Sequence, residues 1–191
     1  MGVPRISTGP MTVDEFYAFT DTRPDEEKWE LIDGEPVLNA SPSGLHQRIL
    51  KNITFALGRR EQEANAVWEA LPGLGVRVSD VKRPEPDLLI VPMLTNEDLT
   101  KRDTDNVLVT FEILSPSTAD RDLRWKRTVY TSLPSLTHYV VVAQDAAEVV
   151  VMARSRDFAE QRLTSLQDSL EFPQLGVSLP LSEIYRNTGL R

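Results

Sequence analysis

The chain has no cysteine, which rules out disulfides and thiolate zinc sites. His46 and His138 are the only histidines, too few for a histidine-rich metal centre. No apolar run approaches the ~18 residues that a bilayer-spanning helix needs. Met1-Gly2-Val3-Pro4-Arg5 lacks the apolar core of a signal peptide, and Ile6 stands where a myristoylation signal has Ser or Thr. A cytoplasmic location is the expectation. Positive charge is also short: 21 Lys and Arg against 29 Asp and Glu give a net charge of -8, which opposes any bulk attraction to nucleic acid. There is no phosphate-binding glycine loop, no dinucleotide fingerprint, no Gly-x-Ser-x-Gly elbow and no His-Glu-x-x-His.

What the chain does contain is ordinary for a globular protein: 40% hydrophobic and 26% charged residues. The length suits one domain over residues 11–191, preceded by a flexible arm at 1–10. Thr12 with Glu15 makes a capping box for a short helix through Phe16 and Phe19. Asp33-Gly34 between Trp29-Glu30-Leu31-Ile32 and Pro36-Val37-Leu38 predicts a hairpin, because both turn residues tolerate positive φ. Glu30 shares a strand face with Ile32 and points either into the protein or, on an edge strand, to water.

A helix is expected from about Leu45 to Glu63, with Leu45, Ile49, Ile53, Ala56 and Leu57 forming one apolar stripe. His46 in its first turn reads as a cap or surface residue rather than a ligand. Residues 67–71 and 74–78 read as two strands about Pro72-Gly73, and 92–106 as a long polar loop. Further strands are expected over 137–143, 148–152, 158–163 and 169–172, with a short closing helix at 181–185.

Two apolar runs carry a carboxylate where a buried strand should carry none. They are Pro86-Asp87-Leu88-Leu89-Ile90-Val91 and Thr110-Phe111-Glu112-Ile113-Leu114. An unpaired buried acid costs several kcal/mol, so each needs a counter-charge, a proton or a metal. Hard carboxylate oxygens suit Mg²⁺ or Mn²⁺ better than Zn²⁺. After Ser115-Pro116-Ser117-Thr118 a helix is expected from about Ala119 to Ser132. Its stripe is Leu123, Tyr130 and Leu133, and the position completing the spacing is Lys126. A core-facing lysine needs a nearby acid or a route to water; the alternative is a local pair with Asp122, one turn earlier. Arg121, Arg124, Lys126 and Arg127 together form a local basic patch. Two strand acids and a lysine around a divalent ion fit phosphodiester hydrolysis.

Trp29-Glu30-Leu31-Ile32-Asp33-Gly34-Glu35, His46-Gln47, Pro84-Glu85-Pro86-Asp87, Phe111-Glu112-Ile113-Leu114-Ser115-Pro116-Ser117-Thr118 and Asp122-Leu123 through Lys126 to Tyr130 resemble segments of the Uma-type restriction endonuclease family. That family lies within the PD-(D/E)XK nuclease superfamily. The superfamily usually places lysine two residues after the second acid, where this chain has Leu114. The resemblance implies that Lys126 replaces it from the next helix, that Asp87 and Glu112 bind Mg²⁺ or Mn²⁺, and that Glu30 is an accessory acid. It assigns no chemical role to His46 or Gln47. It further implies an α/β fold, a restriction-endonuclease-like mixed sheet flanked by helices with an N-terminal β-hairpin extension. DNA is the expected substrate and a homodimer the expected assembly. A catalytically silent nucleic-acid-binding or regulatory domain on the same scaffold is the alternative.

Overall fold

The computed structural model describes residues 9–114 and 119–191, with backbone alone at 119–122. In chain order the elements are α1 (Val13–Thr20), β1 (Trp29–Ile32), β2 (Glu35–Leu38), α2 (Gly44–Ala64), β3 (Trp68–Pro72), β4 (Gly75–Val76), β5 (Leu88–Pro92), β6 (Asp103–Thr104), β7 (Val109–Leu114), α3 (Ala119–Thr131), β8 (His138–Ala143), β9 (Val149–Ala153), β10 (Glu160–Leu163), β11 (Ser169–Phe172), β12 (Val177–Pro180) and α4 (Leu181–Ile184).

Local chemistry accounts for most boundaries. The Thr12–Glu15 capping box opens α1. The β1–β2 turn has φ of 50° at Asp33 and 85° at Gly34, the positive values its sequence predicts. Ser43 caps α2 by accepting the amide of His46, and Asn65 ends it in the left-handed region. The stripe of α2, Ile49, Ile53, Ala56 and Leu57, is buried against the sheet. Burying such a side chain contributes about 1.5–3 kcal/mol, so the face is strongly fixed.

Six strands form the main sheet in the order β10-β9-β8-β7-β5-β3. The β7–β8 pair is parallel and every other neighbouring pair in this sheet is antiparallel, which makes it mixed. A parallel pair needs a crossover, and α3 provides it. Leu88, Ile90, Phe111 and Ile113 pack into the layer shared with α2 and α4. Leu89, Val91, Tyr139 and Val141 pack into the opposite layer with Tyr130 and Leu133. With both faces covered, β5 and β7 read as apolar runs. The β1–β2 hairpin is a separate two-stranded sheet, the N-terminal extension expected from sequence.

The two strands expected about Pro72-Gly73 are present as β3 and β4 but do not pair with each other. Instead β3 pairs with β5 from Trp68↔Pro92 to Pro72↔Leu88, while β4 pairs in parallel with β6. The buried backbone of β5 needs partners on both sides, and β3 supplies the second. The 92–106 loop therefore holds β6 and a short 3₁₀ turn at Asp98–Thr100. Strand β12 was not expected; Val177 and Leu179 alternate with exposed Ser178, a period-2 signal confined to one short segment. Among the described residues no helix is long and apolar enough to cross a membrane.

Candidate active site

The sheet brings the two acids to neighbouring strands. β5 and β7 pair Leu88 with Phe111, so Asp87 immediately precedes, and Glu112 immediately follows, a paired residue. The Asp87 amide donates to the Phe111 carbonyl at 3.1 Å, just beyond the paired residues. Its carboxylate Oδ2 accepts the Ile113 amide at 2.8 Å. The other oxygen, Oδ1, lies 3.2 Å from His46 Nε2 and 3.7 Å from Lys28 Nζ.

Glu112 is held from above by α3. Its Oε1 accepts the Tyr130 hydroxyl at 2.8 Å and its Oε2 accepts Lys126 Nζ at 3.0 Å. These two donors lie one turn apart on the same helix face, which lets one element grip both oxygens. Lys126 also lies 3.1 Å from Glu30 Oε1, delivered by β1, and that oxygen accepts the Glu85 amide at 2.7 Å. Glu30 and Glu112 are 2% and 4% exposed, so neither is a surface acid.

The charge balance explains the titration of the group. Burial opposes the charge on Lys126, but Glu112 and Glu30 outweigh it and hold the ammonium well above its usual range. Burial likewise opposes the Glu30 carboxylate, which Lys126 and the Glu85 amide nevertheless hold below its ordinary value. At Asp87 burial is offset by His46, Lys28 and the Ile113 amide, and the carboxyl is again lowered. Glu112 carries the excess. Burial, with Asp87 and Glu30 adding negative potential and Lys126 opposing it, pushes Glu112 up to about 7. One ammonium shared by two buried carboxylates leaves a region deficient in positive charge.

That deficit is the feature a divalent cation would correct. Among the described residues no group of three or more His, Asp or Glu side chains forms a metal cage. Two carboxylates on neighbouring strands suit a different mode: Mg²⁺ is commonly held by one or two carboxylates, with waters and substrate phosphate completing its shell. The donor set therefore fits a hard divalent ion completed by solvent and substrate.

All four residues singled out from sequence, Asp87, Glu112, Lys126 and Glu30, meet in this cluster. His46, given no role, contacts Asp87, whereas Gln47 is exposed. The basic run divides by helix phase: Lys126 turns inward, Arg124 is exposed, and Arg127 pairs with Glu160 at 3.0 Å. Ser115-Pro116-Ser117-Thr118 and the side chains of Arg121 and Asp122 lie outside the described residues. Sequence reasoning missed Tyr130 as a site residue because it also fits the core stripe; its place one turn after Lys126 was the available signal. Lys28, in the segment before β1, gave none.

A protein-family model described as "Putative restriction endonuclease", Uma2, matches residues 13–182. The chain belongs to the Uma2 family. The matched span contains the whole acid and lysine cluster, and Uma2 membership brings general nuclease character on a PD-(D/E)XK-related scaffold. Among solved structures, the crystal structure of a "putative nuclease belonging to DUF820" from Anabaena variabilis ATCC 29413 is similar, with a TM-score of 0.71. The likeness covers 92% of this chain and 98% of that one at 16% identity, and it shows that the Uma2 chain shares that protein's fold. No curated protein matches this Uma2 chain.

Proposed function

We propose that the protein is a divalent-metal-dependent endonuclease that hydrolyses phosphodiester bonds of DNA. The observation that carries this reading is Lys126 Nζ, seated 3.0 Å from Glu112 and 3.1 Å from Glu30, with Asp87 close enough to add negative potential at Glu112. Mg²⁺ or Mn²⁺ held by Asp87 and Glu112 would supply Lewis acidity and an ionisable water at neutral pH.

The chain's own groups divide the remaining work. Lys126, kept charged by two acids, is placed to donate to a phosphate oxygen and offset negative charge that develops in the transition state. Glu30 holds that ammonium in place from the side opposite Glu112. Tyr130 fixes the rotation of the Glu112 carboxylate. The Ile113 amide and His46 fix that of Asp87. Preset orientation of this kind removes reorganisation from the reaction step.

Cleavage of supercoiled plasmid in Mg²⁺ or Mn²⁺, abolished by chelation, is the expected result. Asp87→Ala and Lys126→Ala should each reduce the rate by at least ~10²-fold. Cleavage that survives both substitutions would sink the assignment. A silent nucleic-acid-binding or regulatory domain is the second reading, favoured by the net charge of -8. A salt-sensitive mobility shift without product in either metal would select it.

A further inference from the structure

Gln144, at the end of β8 and outside the acid cluster, closes a ring of polar groups around Asp87. Ile113 begins both arms of the ring. Its amide donates to Asp87 Oδ2 at 2.8 Å, and its carbonyl lies 3.5 Å from Gln144 Nε2. The same Gln144 nitrogen lies 3.5 Å from His46 Nδ1, and His46 Nε2 lies 3.2 Å from Asp87 Oδ1. Each link runs between groups whose neighbours restrict what they can donate or accept.

The direction of every bond follows from one fixed acceptor. A backbone carbonyl can only accept, so the end of the Gln144 amide that faces Ile113 must be the NH₂ group. Ser43 fits the same orientation from the other side. Its hydroxyl oxygen accepts the His46 amide at 3.1 Å, while its proton is directed to Gln144 Oε1 at 2.9 Å. An amide NH₂ facing His46 Nδ1 requires that nitrogen to accept. The ring proton is then on Nε2, where it faces Asp87.

We propose that Gln144 is a positioning residue: it sets the His46 tautomer and through it locks the Asp87 carboxylate in its metal-binding orientation. The proposal rests on the reading of Asp87 as a metal ligand. Both Asp87 oxygens are then fixed from the β7–β8 pair, one by Ile113 directly and one through Gln144 and His46. Oδ2 keeps a lone pair for a cation, whereas Oδ1 also faces Lys28 Nζ at 3.7 Å. His46 is 11% exposed in its side chain and Asp87 14%, so water does not readily replace the missing partners. Outer groups that orient a ligating carboxylate change metal affinity by about 10–100-fold when removed.

The test has two arms on the full-length protein. In metal-free, ¹⁵N-labelled wild type, long-range proton–nitrogen correlations should show His46 Nδ1 without a proton and Nε2 protonated. In Gln144→Glu an acceptor replaces the donor facing Nδ1 while Asp87 still accepts from Nε2, so Nδ1 should gain a proton and Nε2 keep its own. A wild-type proton on Nδ1, or an Nδ1 still without a proton in Gln144→Glu, overturns the proposal. Mn²⁺ titration forms the second arm, in which Gln144→Leu should weaken binding about 10–100-fold. Unchanged Mn²⁺ affinity in a folded Gln144→Leu protein also overturns it. If wild type binds no Mn²⁺ while showing the expected tautomer, the metal-site reading fails and the link from Gln144 to His46 stands.

Discussion

The indole N–H of Trp125 donates to the Asp33 carboxylate at 2.8 Å, fastening α3, which carries Lys126, to the turn of the hairpin that carries Glu30. Lys82 also reaches Asp33, at 3.2 Å, so the turn is held from two sides. Both partners of the indole bond are partly open to solvent, and its net worth is about 0.5–1.5 kcal/mol. Trp125→Phe should therefore lower the melting temperature by only a few degrees, at about 2–4 °C per kcal/mol for a chain of this size. Faster amide exchange should be confined to β1 and β2. Exchange that rises equally through β7 and β8 would contradict a local fastening.

Lys126 should matter to folding as well as to chemistry. Lys126→Met leaves Glu112 and Glu30 buried without their shared counter-charge, a loss worth about 3–5 kcal/mol. The expected fall in melting temperature is about 6–20 °C. Adding Glu112→Gln removes one orphaned charge and should recover part of that loss. A double variant less stable than Lys126→Met would show that Glu112 is stabilised by something other than the lysine.

Metal should raise stability through the same acids. Saturating Mn²⁺, at about 100 times its dissociation constant, adds about 2.7 kcal/mol by mass action. That corresponds to a rise of about 5–11 °C over the chelated protein. Asp87→Asn keeps the side-chain shape but loses the charge, and the rise should vanish. An undiminished rise in Asp87→Asn would place the ion elsewhere.

His138 supplies a pH dependence distant from the acids. Burial, followed by the positive charge of Arg156, lowers its pKa from 6.5 to about 4. Its ring packs edge-on to Phe172 with centroids 5.0 Å apart, and Nδ1 lies 3.0 Å from Thr137 Oγ1. The unfolded chain takes up this proton first, so the stability is fully present above pH 6.5 and declines as pH falls toward about 4. Melting curves between those limits should show a shallower slope in His138→Gln than in wild type. Equal slopes would remove His138 from the acid sensitivity.

Two glycines on different elements should respond oppositely to alanine. A Cβ at Gly75 would come within 2.1 Å of the Arg83 guanidinium. That group is pinned by Glu85 at 2.6 Å and the Arg102 carbonyl at 2.9 Å, and it cannot swing aside freely. Gly75→Ala should cost about 1–3 kcal/mol by overpacking. At Gly58, inside α2, nothing lies within 4 Å of the same atom. Gly58→Ala should gain about 0.5–1 kcal/mol from helix propensity. Denaturant midpoints of the two variants would check both signs.

The parts of the site legible in sequence were those governed by local periodicity. Asp87 and Glu112 stood out because alternation left each in an apolar run, and Lys126 because helical spacing put it among core positions. Glu30 stayed ambiguous, since a hairpin strand shows which residues share a face but not which face is covered. Its burial is decided by α3 and Glu85, far away in the chain. Gln144 and Lys28 carried no local mark, and their neighbours are set by tertiary docking. The partners of β3 and β4 were likewise unmarked: Pro72-Gly73 is a competent turn, and only the demand of β5 for a second partner sends β3 elsewhere.

The single parallel pair in the main sheet has a consequence for how the site can be lost. A lysine on the same strand as the acid would remain in register until that strand itself melted. Here the acids belong to the sheet, while Lys126 and Tyr130 belong to the crossover that the β7–β8 geometry requires. Sub-global opening of α3 would then take away both donors to Glu112 and leave the β5–β7 ladder intact. Such an opening would part Lys126 from Glu112 and Glu30 at a free energy below that of global unfolding, and the acids would await the helix's return.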